Sequence, residues 1–134
     1  MKILQVYLSW LSDVNVDIFK RAKDCGFIAI AVTVDSNILG NWENEERNNF
    51  SYPSHLRLGL REKYLNGMKP PAGISLKIQS ETLKDNSFDW SWISELREMT
   101  TLPIILKGIH CWEDAIEAVN HKVDAIWVSN HGGW

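Results

Sequence analysis

Four short segments of near-continuous apolar residues punctuate the chain: Ile3 to Leu8, Ile28 to Val34, Pro103 to Leu106 and Ala125 to Val128. Runs of this length without polar alternation are the pattern of parallel strands covered on both faces. Helical spacing fills the intervals. Asn15 to Cys25 sets Val16, Ile18, Phe19 and Ala22 on one side, and Gly26 stands where a glycine ends a helix. Trp90 to Met99 repeats Trp92, Ile93, Leu96 and Met99 at helical spacing, and Trp112 to Asn120 carries Ala115, Ile116, Ala118 and Val119. Strand, helix, strand, helix predicts an α/β fold with a parallel sheet.

The intervals sharpen this expectation. Gln5 and Thr33 lie 28 residues apart, and Lys107 and His131 lie 24 apart. Each interval suits one βα unit of a barrel. Thr33 and Lys107 are 74 apart, so one unit carries a long insertion, Leu39 to Phe88. That stretch holds Pro53, Pro70, Pro71 and scattered charges with little periodicity, and is expected to be a mobile, lid-like loop.

Composition narrows the partners. With 134 residues, 45% hydrophobic and 23% charged, the chain reads as one ordinary domain rather than a disordered tail. A net charge of −3 gives no basic footprint for nucleic acid or an anionic membrane. The longest apolar run, Ile28 to Val34, is far too short to span a bilayer, and a secretory signal is not expected, because Gln5 breaks the apolar run after Lys2 and no small-x-small site follows. Cys25 and Cys111 form neither a disulfide framework nor a metal-ligand spacing, which points to a reducing compartment and no metal.

Each apolar strand contains or runs into polar side chains. The first offers Gln5 and Tyr7, two apart and so on one face; the second ends in Thr33 and Asp35. The third ends in Lys107, and the fourth in Ser129, Asn130 and His131. In a (β/α)₈ barrel the C-terminal strand ends build the active site. Taken singly, each residue has an ordinary role. Thr33 and Ser129 are common strand-end hydroxyls, Asp35 suits a turn or cap, Lys107 suits solvent, and His131 suits the turn at Gly132-Gly133. Taken together they supply an acid, a base and a cation at one end of four strands. An esterase reading of His131-Gly132-Gly133 as an oxyanion loop lacks a G-x-S-x-G nucleophile elbow.

The stretch LPIILKGIHCWEDAIEAVNHKVDAIWVSNHGG, Leu102 to Gly133, resembles the FMN-dependent 2-hydroxy-acid oxidase and dehydrogenase family, which includes glycolate oxidase, long-chain hydroxy-acid oxidase, lactate oxidase and flavocytochrome b2. LQVYLSW near the start and GFIAIAVTVDSNILGN with ERNNF carry the same resemblance. It implies a partial TIM barrel of about four parallel strands, the family's third to sixth, with residues 1–134 forming the central part of the domain. It implies FMN as cofactor and oxidation of (S)-2-hydroxy acids to 2-oxo acids, with oxygen reoxidising the flavin to give hydrogen peroxide. By the same resemblance Gln5 and Thr33 hydrogen-bond the flavin ring, Lys107 sits where negative charge develops on reduction, and Ser129 touches the cofactor. Tyr7 points its hydroxyl at the substrate, Asp35 orients the histidine, and His131 is the base. A near-neutral base supported by a carboxylate suits proton abstraction, and a fixed ammonium suits a reduced flavin.

Two departures carry weight. The family holds the substrate carboxylate with two arginines, and the matching positions here are Trp42 and Trp134. An indole offers one neutral N–H where a guanidinium forks two charged bonds. Removing one partner of a buried charge pair costs about 3–5 kcal/mol, roughly two to four decades in transition-state binding. Seven tryptophans are an unusually large share for 134 residues, and one base change turns an arginine codon into a tryptophan codon. The second departure is length, since a full barrel takes about 250 residues. The alternative expectation is therefore a non-catalytic fragment or pseudoenzyme. By resemblance the family is peroxisomal and its intact members form homo-oligomers. The chain itself ends Gly132-Gly133-Trp134 rather than in a peroxisomal tripeptide, so it is expected in the cytoplasm.

Overall fold

The computed structural model describes residues 1–36, 43–50, 59–64, 85 and 87–133. Four strands form one parallel sheet in the order β1 (Ile3–Val6), β2 (Ala29–Thr33), β3 (Ile104–Ile109) and β4 (Ala125–Val128). The long helices are α1 (Ser12–Asp24), α4 (Trp92–Met99) and α5 (Trp112–Asn120), and two short ones, α2 (Glu43–Arg47) and α3 (Gly59–Tyr64), lie between β2 and α4. The sequential parallel order expected from the apolar pattern is what forms.

Register decides which side chains share a face. Gln5 pairs with Ala31, Thr33 with Lys107, and Lys107 with Trp127. Paired residues of parallel strands point the same way, and so do residues two apart on one strand. Gln5, Thr33 and Lys107 therefore share one face of the sheet. Ile30, Val32, Ile104 and Leu106 take the other and pack with Phe19, Ala22, Ile93, Leu96 and Ala118 of the helices. β2 is buried at every position, while all four residues of β4 are exposed. Among the described residues strand β4 pairs on one side only, and its apolar run is exposed rather than sandwiched.

α1 departs from its expected face. It starts at Ser12, and its buried residues are Val14, Asn15, Phe19 and Ala22, whereas Val16 is 42% exposed. It ends as expected. Gly26, at φ +73°, lets its own N–H reach the Lys23 carbonyl and the Phe27 N–H reach that of Ala22, which satisfies the last turn. On α5, Ala118 is buried, but Ile116 and Val119 face solvent instead of the sheet. The lid-like reading of 39–88 falls for the most part outside the described residues. Its described helix α3 is tied to α1 by Lys63, whose ammonium lies 2.8 Å from Asp17 Oδ2. That hydrogen bond holds the Asp17 carboxyl below the usual carboxylate range.

Candidate active site

β1 and β2 deliver their polar residues to the same end of the sheet. The Gln5 amide Nε2 donates to Thr33 Oγ1 at 2.7 Å, and Thr33 is buried. The threonine thus fixes which way the amide faces. Lys107, next to Thr33 in register, is half-buried. Among the described residues its ammonium forms no ion pair. A half-buried cation with no ion-pair partner among the described residues, beside an oriented amide and a hydroxyl, fits an anionic or electron-rich polar ring.

The second cluster forms where the chain leaves β2 and β4. His131 Nδ1 lies 2.7 Å from Asp35 Oδ1, across 96 residues of sequence. The Asp35 side chain is 4% exposed and that of His131 24%. A carboxylate oxygen can only accept, so in the neutral imidazole this contact assigns the Nδ1–H tautomer and makes Nε2 the acceptor nitrogen. Nε2 lies 3.5 Å from the Tyr7 hydroxyl, at the outer limit of a hydrogen bond, and the two rings stack 6.5 Å apart. Burial, and then the negative charge of Asp35, push the Tyr7 phenol above its ordinary value, so it stays a protonated donor.

His131 itself takes the left-handed backbone, φ +57°, and opens a turn continued by Gly132 and Gly133. Its N–H donates to Ser129 Oγ at 3.0 Å. A non-glycine residue held there costs about 1–3 kcal/mol, which the local bond and the Asp35 contact offset. Ser129 in this structure supports the histidine. Trp42 and Trp134 lie outside the described residues.

Two contributors escaped the sequence reading. Asn15 is buried on α1 and clasps Ser9 from both sides: Ser9 N–H donates to Oδ1 at 2.9 Å, and Nδ2 donates to the Ser9 carbonyl at 2.8 Å. Ser9 follows Tyr7 by two residues, so this clasp sets the path on which Tyr7 leaves β1. An amide at an apolar helix position was the available signal. The second is Gly108, an extra residue inside β3: Lys107 opposes Trp127, but Ile109 opposes Val128.

The whole chain, residues 1–134, matches the family described as FMN-dependent dehydrogenase. It is 38% identical to a peroxisomal (S)-2-hydroxyacid oxidase of Arabidopsis thaliana over 99% of its own length and 36% of that protein's. It is likewise 38% identical to 2-hydroxyacid oxidase 1 of Mus musculus, over 98% of the chain and 37% of the relative. Among solved structures, a mandelate oxidase complexed with (S)-4-hydroxymandelic acid superposes with a TM-score of 0.78 at 30% identity, covering 96% of this chain and 36% of that one. A lactate oxidase of Pediococcus acidilactici gives 0.76 at 30%, covering 98% and 33%. The chain thus spans a little over a third of the curated relatives it matches, and its four-stranded sheet corresponds to part of their barrel. A match to the family over every residue, with the strand ends bearing Gln5, Thr33, Lys107 and the Asp35–His131 pair, establishes that this chain belongs to the FMN-dependent dehydrogenase family.

Proposed function

We propose that the chain supplies the flavin-ring contacts and the proton-abstracting pair of an FMN-dependent oxidation of (S)-2-hydroxy acids to 2-oxo acids. The observation that carries this is the 2.7 Å contact between His131 Nδ1 and the buried Asp35. It leaves Nε2 as an oriented acceptor beside the Tyr7 hydroxyl. In this reading Nε2 takes the proton of the substrate 2-hydroxyl. The imidazolium so formed keeps its Nδ1–H on Asp35, whose charge stabilises it. Tyr7 donates its phenolic hydrogen to a substrate oxygen and helps to fix the reacting carbon. Gln5, Thr33 and Lys107 would hold the isoalloxazine ring, with the Lys107 ammonium offsetting the negative charge that reduction brings, and Ser129 would touch the same cofactor. Bound FMN supplies the two-electron acceptor, and oxygen restores it with release of hydrogen peroxide. The partners are thus a small 2-hydroxy acid and oxygen.

Flavin absorbance tests the cofactor half. The protein purified with FMN carries the yellow band, and Lys107→Met weakens binding by at least tenfold. Equal FMN affinity in the two proteins removes Lys107 from the ring site.

A second reading, a non-catalytic protein, is favoured by Trp42 and Trp134 at the positions that the family resemblance assigns to arginine. Under it the proton-abstracting pair persists while the substrate carboxylate has no clamp. Turnover of glycolate or lactate by the unaltered protein, abolished by His131→Asn, excludes it. Two Arabidopsis relatives are named as peroxisomal, and the peroxisome is the compartment proposed for the reaction. Fluorescence of a tagged protein checks that assignment.

A further inference from the structure

The register of β3 slips by one residue against β4, and the extra residue is Gly108 at φ +112°. Bulges of this kind bend a strand and re-aim what lies beside it. What lies beside this one is Asp35. A Cβ on Gly108 would stand 2.4 Å from Asp35 Cγ, 2.5 Å from its Cβ and 2.7 Å from Oδ2. Such distances are far inside van der Waals contact, so the carboxylate occupies the space a side chain would fill.

The hydrogen bonds of Asp35 do not by themselves account for its placement. Oδ1 meets His131 Nδ1, but Oδ2 is buried and has no hydrogen-bond partner among the described residues. One contact cannot fix both the position and the tilt of a planar group. The bare Cα of Gly108 supplies the missing constraint by setting how deep the carboxylate sits. We propose that Gly108 is a positioning residue: its missing side chain and left-handed backbone seat Asp35 at the depth from which it bonds His131. The inference rests on the Asp35–His131 pair being the proton-abstracting unit.

The test reads the imidazole itself, in the full chain labelled with ¹⁵N-histidine. His131 faces Asp35 at Nδ1 and the Tyr7 hydroxyl at Nε2. The unaltered protein is expected to show a protonated Nδ1 with a downfield, slowly exchanging proton. Asp35→Ala loses that proton. Gly108→Ala loses it too, while circular dichroism stays that of a folded α/β chain. Gly26→Ala is the matched control. It too has a positive φ, +73°, but its new Cβ meets only Lys2 Nζ at 4.0 Å. It keeps the Nδ1 proton. A folded Gly108→Ala with an unchanged Nδ1 signal overturns the proposal. If Gly108→Ala does not fold, the double variant Asp35→Gly/Gly108→Ala, which clears all three close atoms, regains a folded spectrum. A double variant as unfolded as the single one also overturns the proposal. An Nδ1 signal indifferent to Asp35→Ala, or absent from the unaltered protein, defeats the underlying reading of the pair instead.

Discussion

Asn15→Ala removes an amide that is 1% exposed and makes two hydrogen bonds to the backbone of Ser9, itself 4% exposed. Each bond contributes about 1 kcal/mol net, and each buried group left without a partner costs about 1–3 kcal/mol. The truncation leaves both the Ser9 N–H and its carbonyl buried without their partner. The expected loss is about 3 kcal/mol, and urea unfolding with an m-value near 2 kcal/mol/M would show a midpoint about 1.5 M lower. Asn15→Asp discriminates further. It keeps an acceptor for the Ser9 N–H but sets a carboxylate oxygen against the Ser9 carbonyl, so it destabilises at least as much at neutral pH. A midpoint within about 0.5 M of the unaltered protein for Asn15→Ala, or an Asn15→Asp protein as stable as the original, would refute the clasp as a stabilising element.

Further outcomes follow from the ion pairs and the site. Asp124 accepts the Ile104 N–H at 2.8 Å and the Arg97 guanidinium at 2.6 Å, joining β3, α4 and the approach to β4. Burial pushes its carboxyl up, but these partners outweigh burial and hold it below the usual range. Its stabilisation is therefore complete above about pH 4 and drains away as the pH falls through the lowered folded value. Asp124→Asn should cost about 1 kcal/mol at pH 7, the pair being partly solvent-screened, and the gap should close in acid. A gap that stays constant down to pH 2 contradicts this. The Tyr7 phenol, raised first by burial and then by Asp35, should ionise above pH 10 in an ultraviolet titration read against Tyr7→Phe. Asp35→Asn should bring it part of the way back, and an unmoved midpoint would remove the charge of Asp35 as a cause. Leu96→Ala, at a fully buried α4 position, should cost about 2–5 kcal/mol by thermal unfolding, and a loss under 1 kcal/mol would place Leu96 outside the core.

Much of the fold was legible because parallel strands announce themselves. Val32, Ile30, Leu106 and Ile104 form an unbroken apolar set, and the terminating Gly26 sits where helix geometry requires it. The grouping of polar side chains was legible through position: Gln5, Thr33 and Lys107 share one face of the sheet, and His131 follows β4 closely enough to meet Asp35, although Lys107 lies inside β3 rather than at its end. Three features were not. Asn15 stood on the apolar face of its helix, but no local pattern tells that a buried amide will meet the Ser9 backbone. Val16, Ile116 and Val119 read as core but face outward, because periodicity gives the width of an apolar stripe and not which edge the sheet covers. Gly108 lay just past the strand read as ending at Lys107; the bulge depends on how β3 and β4 register, a long-range property.

The central claim is that these residues form the flavin-contacting, proton-abstracting part of a 2-hydroxy-acid oxidase. Its most direct test sets residues 1–134 in the frame of mouse 2-hydroxyacid oxidase 1, in place of the matching segment, and follows the flavin band anaerobically after adding a 2-hydroxy acid. FMN should be bound whether or not Trp42→Arg and Trp134→Arg are introduced. Substrate should bleach the band, faster once both arginines are present, and His131→Asn should then slow bleaching by at least a thousandfold. A hybrid that binds no flavin, or one whose flavin is reduced at an undiminished rate without His131, contradicts the account.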